Sequence, residues 1–234
     1  MSCMNVVLLP SLGRPASDFD DLCDVLAMHG YAALAIDPTE SFVGTPTLHD
    51  LAADVVQKVS DRGINEFHLV GHAFGNRLAR MVTADFSPRV ASLTLLACGG
   101  YIEIEKSIAE SLTACFDPTV STEDLLAHVS RAFFAPGNDA TVWLTGWSAH
   151  VAAYQRRALE ATPRHEWWDA VASRVLVVQA MQDALAVPRN SEIYVEAHQD
   201  VATLARLEGA GHAMLPEQPA RIGLLLTEFL DSVH

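Results

Sequence analysis

Largely apolar runs, each handing over to a segment of helical spacing, constrain this chain more than anything else in its sequence. Asn5 to Leu9, Tyr31 to Ile36, Phe67 to Val70 and Val90 to Ala97 lack the regular polar alternation of a half-solvated strand. A strand of that kind is buried on both faces. Between the runs, Phe19, Leu22, Cys23, Leu26 and Ala27 recur at helical spacing within Asp18 to His29, and Gly30 closes that segment. A second helix begins at Thr47, with Leu48, Leu51, Ala52 and Val55 on one face, and a third covers Asn76 to Phe86. Alternation of doubly buried strands with helices predicts an α/β fold, an open and mostly parallel sheet with helices on both faces.

From Gly99 to Ala170 the alternation stops. Helical patterns fill the gap at Ile102 to Cys115, Thr122 to Phe134 behind Ser121, and Val142 to Leu159. An insertion of that length needs its own packing and usually serves as a lid. Trp143 and Trp147, four residues apart, are expected on one helical face and are candidate substrate contacts. The plainer reading is that they fasten the insertion to the body. Alternation resumes with a strand at Arg174 to Ala180, a helix at Pro188 to His198, a strand at Thr203 to Leu207 and a last helix from Pro216 to Val233. The expected organisation is a core of residues 1–98 and 171–234, about six strands in all, with residues 99–170 as a helical cap after the fourth strand.

Composition narrows the partners. With 29 acidic against 15 basic residues the net charge is −14, which disfavours nucleic-acid backbones and anionic membrane surfaces. Cys3, Cys23, Cys98 and Cys115 are scattered without metal-site spacing and read as reduced thiols. The histidines show no ligand spacing and the glycine-rich turn lacks a phosphate-loop lysine, so neither a metal nor a cofactor is expected. Without a signal-type leader or a long apolar stretch, the expectation is a cytoplasmic protein acting on a small molecule, with a homodimer left open.

Chemistry gathers at three places. Gly71-His72-Ala73-Phe74-Gly75 lies between a strand and a helix, the layout of a turn that lifts one side chain above the end of a sheet. Asp183 follows the strand ending at Ala180, and His212 follows the last strand. C-terminal strand ends of an open parallel sheet meet at a common crevice. There a carboxylate paired with an imidazole can fix the tautomer of a general base. Taken singly, the turn can be mere close packing, Asp183 a capping residue and His212 a structural histidine; the order of all three argues against that.

These residues resemble the α/β-hydrolase fold family over nearly the whole chain. The matching text is Val70-Gly71-His72-Ala73-Phe74-Gly75-Asn76-Arg77, the Asp183 segment ending in Val187-Pro188, and Gly211-His212 followed by Pro216-Glu217-Gln218-Pro219. The resemblance implies Asp183 as triad acid, His212 as base, Ala73 in the nucleophile's place, and an oxyanion hole from the backbone N–H groups of Leu12 and Phe74. The chain departs from the family pattern at Pro10-Ser11, where many members have His-Gly, and in the loop Thr39-Glu40-Ser41-Phe42-Val43-Gly44.

Ala73 cannot form an acyl-enzyme. It is either a serine replaced to trap a substrate or a naturally serine-free site, and the change at Pro10-Ser11 leans toward the second. Ser11 and Cys98 are stand-in nucleophile candidates near strand ends, and Ser11 and His72 join the tryptophans as candidate substrate-binding residues, with His72 expected beside or beneath the pocket. The implied activity is that of a hydrolase, carboxylic ester hydrolase-like, on a small, fairly apolar ester, lactone or 1,3-dicarbonyl compound. A non-catalytic binding protein and a cofactor-free lyase or oxygenase stay open.

Overall fold

The computed structural model describes residues 5–39 and 42–233; Cys3 and the loop residues Glu40 and Ser41 lie outside them. Six strands form one sheet: β1 (Asn5–Leu9), β2 (Ala32–Ala35), β3 (Phe67–His72), β4 (Val90–Leu96), β5 (Val175–Ala180) and β6 (Ala202–Leu207). All neighbours pair in parallel, in the order β2-β1-β3-β4-β5-β6.

The apolar runs follow from where their side chains go. Along β1, Val6 and Leu8 enter one core while Val7 and Leu9 enter the other. On β5, Leu176 and Val178 divide from Val175 and Val177 in the same way. Helices α1 (Asp20–Met28) and α9 (Pro219–Asp231) close the first core through Leu22, Leu26, Ile222, Leu226 and Leu230. Helices α2 (Leu48–Ser60), α3 (Phe74–Phe86) and α7 (Pro188–Ala197) close the second. Thr47 caps α2 in a reciprocal box with Asp50, so the helix starts where its polar signal stands.

The insertion between β4 and β5 carries α4 (Lys106–Ala114), α5 (Thr122–Phe133) and α6 (Ala149–Ala161). Two expected helices needed correction. The stretch 102–105 is not helical, because the Asn190 side chain accepts the N–H groups of Tyr101 (2.9 Å) and Ile102 (2.8 Å) and holds the chain open. Val142 to Leu159 is not one helix either. A 3-10 turn, Ala140–Trp143, gives way to Gly146 at φ +86°, and Ser148 then caps α6. Trp143 and Trp147 therefore do not share a helical face. They meet edge to face at 5.7 Å, with the Trp147 indole donating to the Trp143 carbonyl at 2.7 Å. The final helix is also interrupted: a short α8 (Met214–Glu217) ends at Gln218, and Pro219 opens α9 at its first turn.

Strand order places the site. β1 is flanked by β2 on one side and β3 on the other, while α1 and α3 leave to opposite faces. Loops after β1 and β3 therefore part from each other and leave a crevice, the usual ligand position in such sheets.

Candidate active site

Ala73 sits at the top of β3 with φ 54° and ψ −106°. A residue with a β-carbon in this region carries of order 1–3 kcal/mol of strain. The turn persists because its surroundings fix it. A β-carbon on Gly75 would lie 2.0 Å from the Leu9 carbonyl oxygen, and one on Gly71 2.3 Å from the Gly75 oxygen. Glycine alone lets β1, β3 and α3 approach this closely. The Ala73 N–H donates to the Leu96 carbonyl at 3.0 Å, while the N–H of Phe74, the first residue of α3, has no acceptor among the described residues.

The Leu12 N–H is likewise without an acceptor among the described residues. Its loop is held from both sides. The Gly13 N–H donates to Gln155 Oε1 at 2.8 Å, and the Gly13 carbonyl accepts the Ser148 N–H at 2.9 Å. Arg14 reaches the insertion as well, donating to Thr145 O at 2.6 Å, pairing with Asp18 at 2.7 Å, and lying 4.3 Å and 4.6 Å from the ring centres of Trp143 and Trp147. Leu12 thus belongs to a loop braced by the insertion on both sides.

Asp183 and His212 meet. The His212 Nδ1–H donates to both carboxylate oxygens, at 2.9 Å and 3.0 Å, and the Asp183 side chain is wholly buried. Asp183 Oδ1 also accepts the backbone N–H groups of Leu185 (2.8 Å) and Ala186 (2.7 Å). With Nδ1 committed to the acid, Nε2 is the basic nitrogen that His212 offers to the cavity it lines. The His212 loop is tied to the segment just after α5 by Glu217, whose carboxylate accepts the Gly211 N–H and the Ala135 N–H, both at 2.7 Å. This explains the glutamate in the Pro216-Glu217-Gln218-Pro219 text.

His72 is fully buried, and its Nε2–H donates to the His212 carbonyl at 2.8 Å. Burial, with His212 beside it, lowers its pKa to about 3, so the ring is neutral. Nδ1 of His72 has no partner among the described residues. His72 therefore positions the backbone of His212 and does not line the cavity.

A cavity of about 200 Å³ is walled by Ser11, Leu12, Ala73, Phe74, Trp147 and His212, among others. Of the four substrate contacts expected from sequence, Ser11 and Trp147 reach it, His72 does not, and Trp143, 2% exposed, stands behind Trp147 against Phe133 and Arg14. Cys98 is wholly buried outside the wall, and burial raises its thiol pKa. Gln155, Arg14, Arg77 and Arg156 were not legible as site residues. Arg77 alone had a usable signal, four residues beyond Ala73 and so one helical turn away.

Fold and site together define a class. A profile of the Alpha/beta hydrolase family matches residues 6–222, and the chain belongs to that family. Among curated proteins it is similar to "Putative carbamate hydrolase RutD" of Variovorax paradoxus, at 26% identity over 97% of this chain and 92% of the relative. Among solved structures it resembles an enol-lactonase from Burkholderia xenovorans (TM-score 0.81, 18% identity, 99% of this chain and 92% of that one). A thermophilic esterase from Thermogutta terrifontis is equally similar in shape (TM-score 0.81, 16% identity, 99% of this chain and 90% of that one). Among the described residues, no helix is long and apolar enough to cross a membrane.

Proposed function

We propose that this chain hydrolyses a small carbonyl compound, an ester, lactone, 1,3-dicarbonyl or carbamate, by direct attack of water. The observation that carries the reading is the pairing of a buried Asp183-His212 couple with two unoccupied amides, Leu12 and Phe74, around a cavity whose nucleophile position holds only a methyl group. His212 Nε2 takes a proton from water as its oxygen bonds to the carbonyl carbon. The Leu12 and Phe74 N–H groups hold the resulting oxyanion. As the tetrahedral intermediate collapses, the bond to the leaving group breaks and His212 returns the proton to it. Asp183 keeps Nδ1 protonated and stabilises the imidazolium that forms between these steps.

Loss of a triad nucleophile leaves acceleration of roughly 10³- to 10⁴-fold over water from binding and oxyanion stabilisation. That level suits activated esters, lactones and carbamates and does not suit amides. The curated relative's name concerns a carbamate and the two solved structures a lactone and an ester, all compounds of this kind. The small cavity supports a substrate of few heavy atoms. We place the protein in the cytoplasm, working on a small molecule without metal or cofactor.

The test is the turnover of p-nitrophenyl acetate by the parent and by His212→Ala. Loss of about 10²-fold or more in kcat is expected from removal of a general base. Equal turnover by both proteins overturns the reading, and saturable binding by a parent that turns nothing over leaves a binding protein in its place.

A further inference from the structure

Two arginines, Arg77 and Arg156, line the cavity beside Ala73 and His212, and no aspartate or glutamate lines it. The hydrolytic steps use neither. Arg77 lies on α3 one turn beyond Ala73 and on the same helical face. Its side chain makes no hydrogen bond or ion pair with another described residue; its guanidinium carbon is 6.0 Å from the Trp167 ring centre. Arg156 comes from α6, stacks at 4.8 Å on Phe116, and is likewise without an ion pair among the described residues.

A shortage of carboxylates does not explain this, since acidic residues outnumber basic ones 29 to 15. Arg14 shows what a structural arginine does in the same chain: it is 3% exposed, pairs with Asp18 at 2.7 Å and donates to Thr145 O at 2.6 Å. Arg77 and Arg156 are instead partly buried, and their side chains have no hydrogen-bond or ion-pair partner among the described residues. Burial, with Arg80 adding repulsion, lowers Arg77 to about 10, which leaves it cationic at neutral pH. A guanidinium carries five N–H donors in a planar fork that matches a carboxylate. Gly99 lines the cavity beside Arg77, and an added β-carbon at Gly99 or Gly100 would stand 3.8 Å or 3.4 Å from the guanidinium group, so bare backbone borders it on this side.

We propose that Arg77, assisted by Arg156, forms an anion subsite, and that the substrate carries a carboxylate joined by a short spacer to its reacting carbonyl. The reacting half of this statement rests on the hydrolytic reading of His212; the subsite itself does not. With the carbonyl over Ala73, a carboxylate at Arg77 lies about one helical turn away, which fits the monoester of a short dicarboxylic acid.

Two measurements separate these halves. First, kcat/KM is compared for the p-nitrophenyl monoester of glutaric acid and for p-nitrophenyl valerate, which differ in carboxylate against methyl at the far end. The parent is expected to prefer the charged ester tenfold or more. Arg77→Gln should lower that preference by roughly ten- to a hundredfold, mostly through KM, with Arg77→Lys intermediate and Arg156→Gln smaller. Second, calorimetric titration with glutarate should show binding that weakens in Arg77→Gln and at raised salt, and that survives in His212→Ala. Thermal unfolding of each variant confirms that it is folded. Turnover of both esters without preference, and no glutarate binding to the parent, overturns the subsite while leaving the hydrolytic reading intact. Arg77-dependent glutarate binding without turnover of either ester upholds the subsite and overturns the hydrolytic reading.

Discussion

On the Asp183-His212 side of the cavity, both carboxylate oxygens and Nδ1 of the histidine are engaged, and the histidine's backbone carbonyl is held by His72. On the Ala73 side the reverse holds. The Leu12 and Phe74 amides and the Arg77 guanidinium have no partner of hydrogen-bonding type among the described residues, and the residue raised to the reacting position ends in a methyl group. Buried polar groups are almost always paired with protein or with ordered water, so a cluster of donors without a protein partner is where water or a ligand completes the set. On the proposed reading, the paired groups on one side form the base, and the unpaired groups on the other set the shape and charge of what it acts on. The strained Ala73 turn belongs to the second side, since Ala73 and Phe74 both line the cavity.

The comparison breaks most readily at Asp183. Asp183→Asn keeps an oxygen for the Leu185 and Ala186 N–H groups, yet it removes the acceptor that keeps His212 protonated at Nδ1. Turnover is expected to fall by about 10²- to 10⁴-fold with little change in melting temperature. Equal loss of stability and activity would make Asp183 a structural residue and erase the distinction between the two sides.

A smaller effect is expected from His72, and it appears in stability. The folded protein holds this ring neutral with a pKa of about 3, whereas the unfolded chain protonates it below its ordinary 6.5. Acid therefore favours the unfolded state through this residue. Its contribution is present above about 6.5 and is lost as pH falls toward 3, with a slope of at most about 1.4 kcal/mol per pH unit. In urea unfolding across that window, His72→Gln, which can still donate to the His212 carbonyl, should give a flatter profile than the parent. Parallel profiles would mean that His72 is not held neutral by the fold.

The two sides were not equally legible in the sequence. The sheet was, because residues such as Val6 to Leu9 feed two cores in alternation and so leave a run that is apolar at every position. Asp183 and His212 were legible because each follows a strand, and strand ends are fixed by the fold. Boundaries were lost where a single long-range bond decides them, as at Asn190, which holds the stretch before α4 open. The tryptophans were placed on one helix because a spacing of four looks helical, and Gly146 with the Ser148 cap then divided that segment. Gln155 and Arg156 gave no local sign at all. Their roles depend on α6 crossing to the loop after β1, a contact spanning 142 residues at Gly13.

The central claim is that water, and no side chain, attacks the substrate. Intact-mass measurement of protein quenched during turnover of p-nitrophenyl acetate tests it directly, with Ala73→Ser as the control. The account predicts an unmodified parent with no initial burst of nitrophenol, and an acetylated Ala73→Ser variant that does show a burst. An acetyl group on the parent chain, at Ser11 or at any other residue whose loss stops turnover, would contradict it.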